Sequence, residues 1–193
     1  MKVVEKTVNI KRIEITDNIY ERVLSLFKGK VFHLTKSDNL DKIAKDGFIF
    51  NNFDDSYVLN TGSAKSFGRL MKYVCLFDFR HLNDEETDEV HMKYSFSSPS
   101  WFTEEKPEGS ICEMTAFILS PDYYNQLIPN GAASLHIQQT GECYQYIPKA
   151  EVWFKDKIPV GHFETVLRLE IKCAAPKNIW LNAVRLATAS RKK

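Results

Sequence analysis

The stretch FHLTKSDNLDKIAKDGFIF, residues 32–50, decides how the rest of the chain is read. Its opening, with Val31, alternates as a short strand over 31–35: Val31, His33 and Thr35 fall on one face, and Phe32 and Leu34 on the other. A polar pair therefore lies on a face expected to be covered. The following residues change period. Leu40, Ile43 and Ala44 recur at helical spacing and predict a buried helix side, opened by Ser37 or Asp38 as N-cap and closed by Gly47.

Upstream, Val8, Ile10, Ile13 and Ile15 are spaced like a strand. Asp17 is a plausible N-cap for a helix burying Ile19, Val23, Leu24 and Phe27, which Gly29 ends. Downstream, the segments 73–79, 111–120, 150–154 and 164–173 are dense in β-branched and aromatic residues and broken by Pro, Gly and Asp, as strands are. An N-terminal helical part with a β-rich centre and C-terminus predicts an α+β fold in one domain over 1–193. Two polar stretches, 51–70 and 81–109, interrupt the strands; the second holds an acidic run from Asp84 to Glu89. Long stretches of this kind are functional loops or solvated excursions, and composition does not separate the two.

The chain's 193 residues and 44% apolar content suffice for a sizeable core. A formal net charge of +1 gives no global field for a polyanion, and the dense basic clusters are Lys11-Arg12 and the terminal Arg191-Lys192-Lys193, the latter expected to be solvated. Charges scattered through the first fifteen residues interrupt any secretory leader, and no apolar run is long enough for a membrane span. Cys75, Cys112, Cys143 and Cys173 show no metal-ligand spacing and sit in or beside apolar runs, which predicts free thiols and a cytoplasmic location.

Two side chains stand out chemically. His33 is polar on a strand face, although a lone strand histidine is usually structural. Glu151 opens the apolar segment AEVWF, where a carboxylate needs a partner or a task if it is buried; it could equally be the exposed first residue of that strand.

Taken together, His33-Leu34-Thr35, then Asp38-Asn39-Leu40, Ile43 and Gly47, and later Ala150-Glu151-Val152 with Ile158-Pro159, resemble the DarT-like group of ADP-ribosyltransferase-fold proteins. The two blocks cover roughly a fifth of the chain. The resemblance implies split mixed and antiparallel sheets, and NAD as the co-substrate. It also implies ADP-ribose transfer to a macromolecular acceptor, protein or nucleic acid, in a toxin- or phage-defence-like setting with an inhibitor of antitoxin type. By resemblance, Glu151 is the catalytic carboxylate that binds a ribose hydroxyl and stabilises positive charge at the sugar. His33 holds a ribose hydroxyl, the Leu34 backbone binds the nicotinamide amide, and the Thr35 hydroxyl assists. Tyr57 and Tyr73 are alternatives for the aromatic that stacks on nicotinamide. Arg69, in the run 63–69, pairs with pyrophosphate or is a solvated residue at a helix start. The chain has no GxGxxG, P-loop or metal cluster, so NAD rests on the resemblance alone. The competing expectation is a binding module that keeps the fold without transfer. Whether His33 and Glu151 face one cleft discriminates the two: side chains on opposite sides of the sheet would tell against the enzyme.

Overall fold

The computed structural model describes residues 9–54, 65–94, 110–142, 144–172 and 178–191. Eight strands run in chain order: β1 (Ile10–Ile15), β2 (Val31–Lys36), β3 (Phe48–Phe50), β4 (Tyr73–Asp78), β5 (Ile111–Leu119), β6 (Glu151–Lys155), β7 (Lys157–Pro159) and β8 (Phe163–Lys172). The helices are α1 (Ile19–Phe27), α2 (Leu40–Asp46), α3 (Phe67–Leu70), α4 (Asp84–Tyr94), α5 (Gly131–Thr140) and α6 (Asn178–Arg191). Six strands form one mixed sheet in the order β1-β8-β5-β2-β4-β6, in which only β1 and β8 are parallel; β3 and β7 form a small antiparallel sheet. The fold is α+β, as expected.

The main sheet is nearly divided. β2 follows β5 over five registered pairs and β4 follows β6 over five, but β2 and β4 pair only at Val31↔Asp78 and Phe32↔Phe77. Beyond Phe32 the two strands part. Phe32 seals this seam from one side, stacked on Phe27 and edge-on to Phe79.

Strand alternation sends opposite faces into different cores. Phe32, Leu34, Met114, Ile118 and Leu169 meet α1, α4 and α6 through Tyr20, Val23, Phe27, Val90 and Val184. Val31, Leu76, Phe117, Val152 and Phe154 meet Ile43 of α2 and the small sheet through Ile49 and Ile158. A third cluster places Phe67 of α3 and Ala133 of α5 on Trp153 of β6.

Several expectations need correction. α1 is capped by Asn18 in the left-handed region without a side-chain bond, while Asp17 pairs with Arg22 at 2.7 Å, an i, i+5 pair that draws its carboxylate away from the helix start. The second helix begins as a 3-10 turn over Ser37–Asn39, and Ala44 is exposed, because Leu40 and Ile43 alone fill the narrow contact with the small sheet. Gly47 does close it, at φ 72.

The acidic run is not a solvated excursion but the first turns of α4. Asn83 Oδ1 accepts from the Glu86 amide at 2.8 Å and Glu86 Oε2 accepts from the Asn83 amide at 3.2 Å, a reciprocal capping box. Thr87, Val90 and His91 then form its buried side, and the acidic residues suit a helix N-terminus. Arg191 is not a solvated end either: it pairs with Glu21 of α1 and Asp88 of α4, since α6 packs across both helices.

Cys112 is disulfide-bonded, and Cys75 is a free thiol. The expectation of reduced thiols is thus corrected at Cys112, because the pairing of cysteines distant in sequence leaves no local signal. Among the described residues no helix is long and apolar enough to cross a membrane.

Candidate functional site

His33 stands where β2 and β4 part. Its Nδ1 lies 2.8 Å from the Cys75 carbonyl oxygen, on the strand that β2 has ceased to pair with. A carbonyl only accepts, so Nδ1 carries the proton and the imidazole takes the place of the missing ladder partner. Burial pushes the His33 pKa down against the opposing pull of this bond, which favours the neutral ring. Neutral His33 with Nδ1 protonated has an acceptor at Nε2, and that atom has no partner among the described residues.

Thr35, two residues on, shares the His33 face and is buried; its hydroxyl accepts from Asn39 Nδ2 at 3.0 Å. Ser37 and Thr115 hydroxyls bond to each other at 3.0 Å beside it. The Leu34 side chain goes to the helical core, and its backbone lies beyond the last β2–β4 pair.

Glu151, the first residue of β6, is only 5% exposed, so the exposed-strand-end alternative does not hold. Its carboxylate has donors on both oxygens: the Ile147 amide at 2.8 Å on Oε2, and the Trp153 indole N–H at 2.9 Å on Oε1. The Cys75 thiol also bonds to it. Burial pushes the Glu151 pKa up, and the three hydrogen bonds pull it back, with no charged side chain contributing among the described residues. The same neighbourhood pushes the Cys75 thiol well up, chiefly through burial, so it is an unreactive hydrogen-bonding group.

By alternation the two residues occupy opposite faces. His33 registers with Phe117 in the core that holds Val31, whereas Glu151 registers with Phe77 and points with Cys75 and Trp153. A shared strand face is therefore not what relates them. What they share is Cys75, approached from different faces: His33 bonds its backbone carbonyl and Glu151 bonds its thiol.

Of the remaining expected residues, Tyr73 packs edge-on to Phe67, 6.3 Å between centroids, in the cluster around Trp153. Arg69 lies in α3, whose N-cap Ser66 accepts from the Arg69 amide, but its side chain is half-buried and not solvated; residues 63 and 64 of that run lie outside the described residues. Tyr57 lies outside the described residues. Cys75, Trp153 and Ile147 were not singled out in the sequence. Trp153 was accessible to period-two reasoning, two residues after Glu151 on the same strand. Ile147 contributes only a backbone amide, which no side-chain pattern reveals.

α3 closes over this cluster because residue 68 is glycine. A Cβ there would sit 2.3 Å from Cys75 Sγ and 2.7 Å from Trp153 Cδ1. Gly68→Ala should therefore cost ~1–3 kcal/mol, the usual range for overpacking a filled core. An unchanged denaturation midpoint would show that α3 can lift away freely.

The chain matches no family model and no curated protein.

Proposed function

We propose that the protein transfers ADP-ribose from NAD to a macromolecular acceptor, protein or nucleic acid, with the sugar held where β2 and β4 part. The observation that carries this reading is that His33 and Glu151, though on opposite faces, both bond to Cys75 beyond the end of the two-pair seam. Neutral His33 offers Nε2 to a ribose hydroxyl. The Glu151 carboxylate accepts two N–H bonds and the Cys75 thiol, which leaves one lone-pair site for a second hydroxyl. Cleavage of the nicotinamide-ribose bond develops positive charge at the sugar, as in glycoside hydrolysis, and nicotinamide leaves as a neutral molecule. One oriented carboxylate therefore supplies the electrostatic stabilisation without a general acid. Leu34, Thr35, Arg69 and Tyr57 or Tyr73 keep the cofactor-binding roles that the resemblance implies, under an antitoxin-type inhibitor.

A cytoplasmic setting belongs to the same proposal. The Cys112 disulfide argues the other way, and thiol titration of freshly purified protein with and without reductant decides it.

The competing reading is a binding module without transfer. It is favoured by two observations: His33 and Glu151 lie on opposite faces of the sheet, and the Glu151 carboxylate is enclosed and already donor-satisfied, as a structural carboxylate would be. Nicotinamide release by wild type and Glu151→Gln separates the two. Wild type should release nicotinamide and the variant should lose ~10²–10³ in rate. Gln cannot accept with its amide nitrogen, so one N–H is left unpaired and a stability cost of ~1–3 kcal/mol is expected alongside. Rates are therefore compared at a temperature where both proteins are folded by circular dichroism. No release by wild type, with no heat of NAD binding in calorimetry, would put the binding module ahead.

A further inference from the structure

Among the described residues, Glu151 is a buried carboxylate that relies on neutral donors. The groups facing it are the Ile147 amide from the segment before β6, the Cys75 thiol from β4, itself bonded to Ser66 at the start of α3, and the Trp153 indole from its own strand. Of the two nitrogen donors, only Trp153 is a side chain. Its ring is fully buried, with Phe67 edge-on at 4.6 Å and Tyr146 at 6.2 Å, and the glycine at residue 68 brings α3 down onto its Cδ1 edge. The indole is held against swinging, so the N–H direction is fixed.

We infer that Trp153 is a positioning residue for Glu151: its immobilised indole N–H claims one lone pair of Oε1 and fixes which carboxylate lone pairs remain for a ligand hydroxyl. The reasoning is directional. Ile147 holds Oε2 from the backbone and Trp153 holds Oε1 from the strand, so the carboxylate plane cannot rotate about its last bond without breaking one of the two. In a medium without a nearby cation, the same N–H also favours the ionised form. A side chain that filled the space without donating would leave the carboxylate both free to turn and harder to ionise.

The inference rests on the proposed function only for its kinetic arm. Its structural arm is the titration of Glu151 in protein carrying carboxyl-¹³C glutamate, assigned with Glu151→Gln. Wild type is compared with Trp153→Phe and with the isostere in which benzothiophene replaces the indole, exchanging N–H for sulfur at nearly constant shape. The expected result is a Glu151 midpoint at higher pH in both variants. In the kinetic arm, kcat for nicotinamide release should fall about tenfold, with KM for NAD nearly unchanged and the acid limb of the profile displaced upward. A role in packing alone would spare the isostere and leave the limb in place. An unmoved midpoint in the folded isostere overturns the inference whatever the activity. A moved midpoint in a protein whose wild type releases no nicotinamide leaves the inference standing and removes the transferase reading.

Discussion

Phe32→Ala is expected to destabilise the protein by ~3–5 kcal/mol, the range for truncating a buried phenylalanine. Phe32 has no solvent exposure and lies at the crossing of three rings: Phe27 stacked at 4.1 Å, Phe79 edge-on at 5.1 Å and Phe77 tilted at 5.6 Å. Phe27 comes from α1, Phe77 from β4 and Phe79 from the turn beyond it, so one side chain joins the helical layer to both halves of the divided sheet. Aromatic pairs of this geometry add to the area they bury, and a cavity here is bordered by rigid rings that cannot collapse inward. Against a typical stability of ~5–15 kcal/mol, the loss is a large fraction of the whole. Urea unfolding of wild type, Phe32→Leu and Phe32→Ala should give that order of decreasing midpoint. A loss below ~1.5 kcal/mol for alanine would mean that the seam does not depend on this ring.

A second large effect should appear on acidification, through His91. This residue is 1% exposed, edge-on to Tyr20 and Phe79, and burial takes its pKa from the ordinary histidine value of 6.5 down to about 3. Above about pH 6.5 both native and unfolded forms carry the neutral ring, and the contribution to stability is complete. As pH falls below that value the unfolded chain takes up a proton that the native state refuses. Stability then drops by about 1.4 kcal/mol per pH unit, reaching about 5 kcal/mol where the folded group itself titrates near pH 3. Glu151 works in the opposite sense. Its folded pKa is raised, so its contribution is present below the unfolded carboxylate value and is lost as pH rises through the folded one. The difference between wild type and His91→Phe isolates the histidine. The variant should lose less stability than wild type between pH 6 and pH 4, by up to about 3 kcal/mol. Parallel pH dependences of the two proteins would place a protonated His91 in the native state.

Legibility in the sequence followed the range of the interactions. β2, the presence of α2 and its closing Gly47 were legible because alternation, helical spacing and a left-handed glycine are local signals, whereas the 3-10 start and the exposure of Ala44 were not. α4 was not legible although its capping box, Asn83 with Glu86, is equally local: the polar length of 81–109 reads as a loop, and Thr87, Val90 and His91 are too sparse a stripe to override it. Arg191 looked like a free terminus because its partners, Glu21 and Asp88, are 170 and 103 residues away. The site divides the same way. His33 and Glu151 were singled out from their own strands, but the residue that joins them, Cys75, is ordinary by composition and becomes informative only once β2 and β4 are seen to part.

The short seam has a mechanical consequence. Two residue pairs carry the backbone connection between β2 and β4, so the spacing of the strands beyond them is set largely by how the rings of Phe32, Phe77 and Phe79 wedge against α1. The sheet behaves like a book whose spine is aromatic packing. Substitutions in the helical layer that change the bulk behind Phe27, far from His33 and Glu151, would alter the opening angle between the two leaves and with it the gap that a sugar must enter.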